Sequence, residues 1–335
     1  MQNQQRLKFI DFCSGIGGGR LGLELAGMQC VAHSEINSDA DYTYNIFFND
    51  KNNLGDLKLI KMEDIPECDL LIAGFPCQTF SIVGKREGFN DDRGQIIYHL
   101  ANILQKKNIS YFILENVKGL VNHNKGETLK QILKILDNAG YSVFYQILNS
   151  ENYGVPQYRE RVYFVGVRKD LCNSPFIFPK ENKMDDIQNY LINYNNVEQD
   201  ISHPTFQKYI NNKYNKDRVD VEDLLKQDYL VIDTRQSDLR VYKGKSPTLR
   251  TGRHGILYIK NKKIYKLSGV EALLLQGFSK EMALKVKDIQ NNKLLSQAGN
   301  AMTVNVIQAI GVKLLEYIKQ SEGNNGFSGK RVANC

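Results

Sequence analysis

No two of the six cysteines, at positions 13, 30, 68, 77, 172 and 335, stand in a CxxC spacing, and the five histidines form no HxxxH pair. That argues against a zinc site or a disulfide framework, and no metal is expected; a reducing cytosol fits best. The N-terminus lacks the apolar run of a signal peptide or a membrane span, because Met1 leads through polar residues straight into Leu7-Lys8-Phe9-Ile10. No internal repeat is visible, which argues against solenoids and propellers. Nor is there a large excess of one charge. The 44 basic and 37 acidic residues give a net +7, too modest to name a partner. The 335 residues, 42% of them hydrophobic, are enough for one large domain and a smaller one.

The patterns that are present alternate. Leu7 to Phe12 is an apolar run of strand length. It enters Cys13-Ser14-Gly15-Ile16-Gly17-Gly18-Gly19 and then an amphipathic helix through Leu21, Leu25 and Ala26. Strand, glycine turn and helix together let backbone approach a nucleotide-like ligand closely. The next strand, Gln29 to Ser34, ends at Glu35, a carboxylate placed to bind ribose hydroxyls. The strict dinucleotide fingerprint is missing, since Arg20 stands at the third glycine position. A nucleoside without a pyrophosphate does not need it. Helices at 39–48, 95–105 and 125–138 then alternate with strands at 69–73 and 110–114. Strands at 141–148 and 161–167 close the sheet as an antiparallel pair at its edge. The prediction is an α/β fold with a doubly wound, mostly parallel sheet.

The chain is organised around Gly74-Phe75-Pro76-Cys77-Gln78-Thr79-Phe80-Ser81. It follows the apolar run Leu70-Leu71-Ile72-Ala73, so it puts a thiol at the carboxyl end of a strand, the edge where open α/β sheets bind ligands. Pro76 fixes its own φ and restricts Phe75, which aims the thiol. The glycine-bearing stretch up to Ile97 has the composition of a lid. Alone, Cys77 would read as a half-buried core cysteine. Its neighbours change that. Glu115 ends the adjacent strand, and Gln157-Tyr158-Arg159-Glu160-Arg161 leads into another with two fixed cations. A thiolate can add to C6 of a pyrimidine whose N3 side is protonated. A partly buried carboxyl can supply that proton, and an arginine can take up charge at O2. Carbon C5 then becomes nucleophilic enough to attack an electrophilic methyl.

The character changes near Asp170. Residues 170–238 carry 8 basic and 13 acidic side chains, whereas 239–270 carry nine basic ones and no acidic one. Tyr242, Tyr258 and Tyr265 are interleaved with those cations, as suits a polyanion groove; a solvated basic surface is the plainer alternative. Helical patterns return at 268–275 and 304–318, so the end of the chain is expected to pack back on the first domain. Residues 1–169 with 266–320 are thus expected as one domain and 170–265 as a second. The polar 321–335 tail reads as disordered.

Taken in order, Asp11-Phe12-Cys13-Ser14-Gly15-Ile16-Gly17-Gly18, Glu35, Gly55-Asp56, Gly74-Phe75-Pro76-Cys77-Gln78, Glu115-Asn116-Val117, Gln157-Tyr158-Arg159-Glu160-Arg161 and Gln297-Ala298-Gly299-Asn300-Ala301 resemble the DNA (cytosine-5)-methyltransferases of the small bacterial restriction-modification type. The resemblance spans nearly the whole chain. It implies a Rossmann-like catalytic domain that binds S-adenosylmethionine, and an irregular target-recognition domain at 170–265. It implies Cys77 as nucleophile, Glu115 at N3 and the exocyclic amine, Arg161 at O2, and Arg159 in support. It also implies a cofactor site of Asp11, Cys13, Ser14, Gly15, Gly17, Gly18, Glu35, Ile36, Asp56, Leu57, Pro76, Asn300 and Ala301. DNA contacts are expected from Ser81, Val83, Arg240, Arg250 and Arg253, with Thr248-Leu249 joining the two domains. The implied substrate is double-stranded DNA with its cytosine flipped out. A cytoplasmic monomer on chromosomal DNA is expected, beside a cognate endonuclease but not in a stable complex with it. One departure stands out. Relatives often carry phenylalanine where this chain has Cys13, which puts stacking on the adenine in doubt. An RNA-directed relative would share these blocks but usually adds a Cys-Phe-Thr signature, absent here. A silent DNA-binding homologue would not need Cys77, Glu115 and Arg161. A nicotinamide dehydrogenase would explain only the glycine turn and Glu35.

Overall fold

The computed structural model describes residues 6–75, 96–196, 198–216, 218, 220–234, 240–252 and 254–328. Side chains alternate across each strand, and in the central strands both faces are apolar. In β1 (Lys8–Phe12), β3 (Leu70–Gly74) and β4 (Tyr111–Val117), the residues Ile10, Phe12, Leu71, Ala73, Phe112 and Leu114 enter one core. Phe9, Leu70, Ile72, Tyr111 and Ile113 enter another. Strands buried on both faces need helices on both sides. Leu100 and Leu104 of α3 (Ile96–Lys106) and Ile132 and Leu136 of α4 (Glu127–Asn138) cover the first face. Leu23 of α1 (Gly18–Leu25) and Ile307, Ile310 and Leu314 of α10 (Val304–Ser328) cover the second.

With β2 (Gln29–Ser34), β5 (Tyr141–Asn149) and β6 (Glu160–Arg168), the sheet order is β2-β1-β3-β4-β6-β5. Strands β2, β1, β3 and β4 pair in parallel, while β6 runs antiparallel to both β4 and β5. The doubly wound, mostly parallel sheet expected from the sequence is therefore present, with the antiparallel pair at its edge. Strand β4 is longer than the apolar run suggested. Glu115 and Asn116 are in register with Tyr163 and Val162 of β6, so the polar end is still paired strand.

The second sheet is built from β7 (Glu198–Gln199), β8 (Val231–Asp233), β9 (Val241–Tyr242), β10 (Ile256–Lys260) and β11 (Lys263–Lys266), in the order β7-β11-β10-β8-β9. All its pairings are antiparallel. One face packs on α5 (Pro204–Ile210) and α6 (Val221–Leu225) through Phe206, Tyr209 and Leu224. The other brings Val231, Ile256 and Tyr258 against α7 (Gly269–Leu275), α8 (Lys280–Lys285) and α9 (Asn291–Asn300). Ala40 and Phe47 of α2 (Ser38–Phe48) join that same core, which ties the second sheet to the first. This region is more regular than its sequence suggests, because strands of two or three residues carry no readable period. Helix α10 extends to Ser328, and residues 329–335 lie outside the described residues.

Candidate active site

The strands β3 and β4 end side by side, with Gly74 in register with Glu115. A Cβ placed on Gly74 would lie 3.8 Å from Glu115 Oε2, so the carboxyl overhangs the end of β3. Arg161, at the start of β6, approaches from the other side, with Nε 3.1 Å from Glu115 Oε1. Both side chains are largely buried, and the pair is charge contact without the alignment of a hydrogen bond. Arg161 also donates from Nη1 to the Glu160 carbonyl at 2.9 Å, which fixes its plane. Asn116 is a residue to which the sequence reading gave no role. Buried beside Glu115, it donates from Nδ2 to the Phe75 carbonyl at 2.9 Å. That carbonyl belongs to the Phe75–Pro76 peptide bond, one residue past the end of β3. Pro76 and Cys77 themselves lie outside the described residues, as do Ser81, Val83 and Arg253.

Arg159 occupies a different place from Arg161. It is 2% exposed, and its guanidinium donates to three main-chain carbonyls: Leu249 at 2.8 Å, Gly299 at 3.2 Å and Ala301 at 2.9 Å. Burial lowers its pKa to about 9, so it still carries charge at neutral pH. With both terminal nitrogens on main-chain carbonyls, Arg159 clamps three segments together, while its buried Nε has no hydrogen-bond partner among the described residues. Around it, Gln157 donates to the Leu275 carbonyl and accepts from the Leu249 amide. Thr303 links Ser150 to Gln276 through buried hydroxyl contacts of 2.9 Å. The segment returning from the second sheet lies on α9 so closely that a Cβ at Gly299 would overlap the backbone of Arg250 and Thr251. Thr248 Oγ1 donates to the Tyr158 carbonyl at 2.7 Å, so the Thr248-Leu249 junction does join the second sheet to the start of β6.

At the other end of the sheet edge, the glycine turn follows β1. Gly15 has φ +56° and no described atom within 4 Å of where a Cβ would stand, so space is open above the turn. Its amide donates to Glu35 Oε2 at 2.7 Å, while Glu35 Oε1 accepts from Asn37. Each oxygen keeps a further lone pair for a ligand hydroxyl. Asn53, unassigned from sequence, accepts from the amides of Glu35 and Gly55 and so holds the Gly55-Asp56 turn against Glu35. Asp56 accepts from the Lys58 amide, Leu57 is buried, and Ile36 is 76% exposed at the rim. The Ser14 hydroxyl is buried and has no hydrogen-bond partner among the described residues. Asn300 ends α9 exposed, and Ala301 after it is buried. Open space bounded by amides, two carboxylates and an apolar rim suits an adenosyl group.

Four residues expected at that site serve it from behind. Asp11 is fully buried, because strand alternation turns it toward α1 along with Phe9. Burial pushes its pKa up to about 8, with the nearby Arg20 cation opposing the rise. A Cβ at Gly17 would overlap the Phe48 and Tyr44 rings, and one at Gly18 the Met302 carbonyl; these glycines admit neighbours from the protein itself. Cys13, at φ +50°, packs on the first core, and burial pushes its thiol up to about 12, so it is no nucleophile. Arg20 replaces the third glycine for a visible reason. It pairs with Glu24 at 2.8 Å and Asp50 at 2.6 Å and lies over the Phe48 ring, bolting α1 to α2.

The sheet order, the glycine turn with its carboxylate and the edge-strand pair define a Rossmann-like methyltransferase fold. Within that class, the chain belongs to the family described as C-5 cytosine-specific DNA methylase, which matches residues 7–316. It is a DNA cytosine-5 methyltransferase with S-adenosylmethionine as methyl donor. It is 35% identical to the type II methyltransferase M.BsuFI of Bacillus subtilis, over 95% of this chain and 74% of that protein. It is 35% identical to M.HpaII of Haemophilus parainfluenzae, over 93% of this chain and 90% of that one. Among solved structures, a putative DNA modification methyltransferase of an Escherichia coli prophage superposes with a TM-score of 0.67 at 19% identity, covering 93% of this chain and 99% of its own. The Dnmt2 methyltransferase of S. pombe superposes at 0.63 with 21% identity, over 93% and 99%.

Proposed function

We propose that the chain is the modification enzyme of a restriction-modification system, and that Cys77, Glu115 and Arg161 carry out the chemistry on one flipped cytosine in a short duplex target. The observation that supports this most directly is the register of Gly74 with Glu115, three residues before Cys77, with Arg161 3.1 Å from the same carboxyl. In this reading the Cys77 thiolate attacks C6 and forms a C–S bond. Glu115 donates a proton toward N3, and Arg161 hydrogen-bonds O2, so charge does not accumulate on the ring. Asn116 orients the Phe75–Pro76 peptide from which the thiol departs. Glu35 holds ribose hydroxyls, Asp56 faces the adenine amine, and Ile36 covers the adenine edge. Bound S-adenosylmethionine supplies the electrophilic methyl that C5 takes up. Loss of the C5 proton then expels the thiolate and restores aromaticity.

Ser81, Val83, Arg240, Arg250 and Arg253 are assigned to DNA. Residues 170–265 serve as target-recognition domain beside a catalytic domain of 1–169 and 266–320. The enzyme works as a cytoplasmic monomer on chromosomal DNA, alongside an endonuclease and without a stable complex. Bisulfite sequencing of plasmid DNA from cells producing the chain tests the activity and gives the target. Duplex carrying 5-fluorocytosine at that target should trap a covalent adduct, because no proton can leave C5. Cys77→Ser should form no adduct while still binding DNA. Substantial methylation by Cys77→Ser would remove the thiol from the mechanism.

A further inference from the structure

Two ion pairs stand at the mouth of the Glu115–Arg161 site, outside the residues given a role above. Lys118 follows β4 directly and pairs with Glu160 at 2.7 Å. Lys245, on the segment returning from the second sheet, pairs with Glu151 just after β5 at 2.8 Å. In each pair the cation is the outer member: Lys118 is 48% exposed against 26% for Glu160, and Lys245 35% against 16% for Glu151. Tyr158 connects them. Its hydroxyl donates to Glu160 Oε2 at 3.0 Å, and the Lys245 ammonium sits 5.3 Å from the centre of its exposed ring. Its main chain is fixed on both sides, because its amide donates to the Ser246 carbonyl and its carbonyl accepts from Thr248. The result is one line, Lys118, Glu160, Tyr158, Lys245 and Glu151, laid across the end of β4, the start of β6 and the end of β5.

Ion pairs of this exposure add little to stability. Their orientation is the informative part. Both present positive charge outward, on either side of an aromatic face, beside the arginine and carboxyl that meet the target base. A base leaving the duplex for this site must bring its two flanking phosphates to the same mouth. We propose that Lys118 and Lys245 grip the backbone phosphates flanking the flipped cytosine, with the Tyr158 ring packing between them, and that Glu160 and Glu151 hold the two ammonium groups in place until DNA arrives. This rests on the methyltransferase reading above and adds to it a DNA-binding rim apart from the 239–270 cationic segment as a whole, from which it takes only Lys245.

The sign of two substitutions separates this from an ordinary pair of salt bridges. If the Lys245–Glu151 pair only stabilises the fold, Lys245→Gln and Glu151→Gln break the same contact and act alike. If Lys245 meets a phosphate, they act in opposite directions. The measurement is equilibrium binding of the full-length protein, with S-adenosylhomocysteine present, to duplex carrying the target mapped by bisulfite sequencing, over a salt series. Each engaged phosphate adds about 0.9 to the slope of log affinity against log salt. Lys118→Gln and Lys245→Gln should each weaken binding several-fold and flatten the slope by about that amount. Lys245→Arg should keep both affinity and slope, and Glu151→Gln should leave binding equal to wild type or tighter. The rim is overturned if Lys245→Gln and Glu151→Gln shift affinity the same way, or if neither lysine substitution changes the slope. Wild-type methylation of the plasmid is scored separately, so failure of the rim is distinct from failure of the activity.

Discussion

Glu115 and Asp11 are both buried acids on one sheet edge, and their surroundings give them different work. Glu115 faces Arg161 at 3.1 Å and the open end of β3. Glu115→Gln keeps the shape and a hydrogen bond but cannot pass a proton. Its turnover should fall by about 10² or more, with a smaller loss of DNA affinity, as steady-state rates beside binding isotherms will show. Full activity in Glu115→Gln would move the acid elsewhere. Asp11 is turned the other way, beneath α1, with a pKa of about 8. A carboxyl raised in the fold keeps its proton while the unfolded chain, near 3.8, has released its own. The unfolded state then binds fewer protons, so this group's contribution makes stability fall as pH rises from about 4 to 8. Asp11→Asn mimics the protonated form and removes that slope. Its thermal midpoint relative to wild type should therefore improve between pH 5 and pH 8. A difference independent of pH would mean that the carboxyl is ionised throughout.

Elements with a period were legible in the sequence, and contacts across the chain were not. The apolar run at 69–73, the amphipathic 125–138 and the edge pair of strands all announced themselves, with boundaries shifting by a residue or two. Glu35, Glu115 and Arg161 were legible because each closes or opens such an element. Asn53, Asn116 and the clamp role of Arg159 were hidden. Each acts on main-chain atoms that are 18, 41 or 90 and more residues away, and no local pattern encodes those distances. The short strands of the second sheet were hidden for a related reason, since their pairing is decided by partners and not by propensity. Gly299 on α9 illustrates a contact that can be tested directly. It admits the Arg250-Thr251 backbone, which cannot swing aside as a side-chain tip would. Gly299→Ala should lower stability by about 1–3 kcal/mol, read as a reduced urea midpoint. An unchanged midpoint would show that the two segments can part at no cost.

At the scale of the molecule, charge is distributed unevenly: 239–270 is basic while 170–238 is acidic. Lys263 of the 239–270 segment already has a carboxylate partner in Glu198, so not all of its nine cations need meet phosphate. Charge reversal of Arg250 and Arg253 together should weaken binding to every duplex and flatten its salt dependence. Methylation at saturating DNA should suffer less. Unchanged affinity and slope for target and non-target duplexes would return the segment to a solvated surface. The Arg159 clamp has a further meaning when the chain is considered during its synthesis. The guanidinium is made early, and its three acceptors, on Leu249, Gly299 and Ala301, leave the ribosome long afterwards. Until Ala301 has emerged, the buried guanidinium lacks the last of its three acceptors. A nascent chain can hold the glycine turn, Cys77 and Glu115 and still lack the closed Arg159 clamp. The clamp is complete only when about nine tenths of the protein has been made.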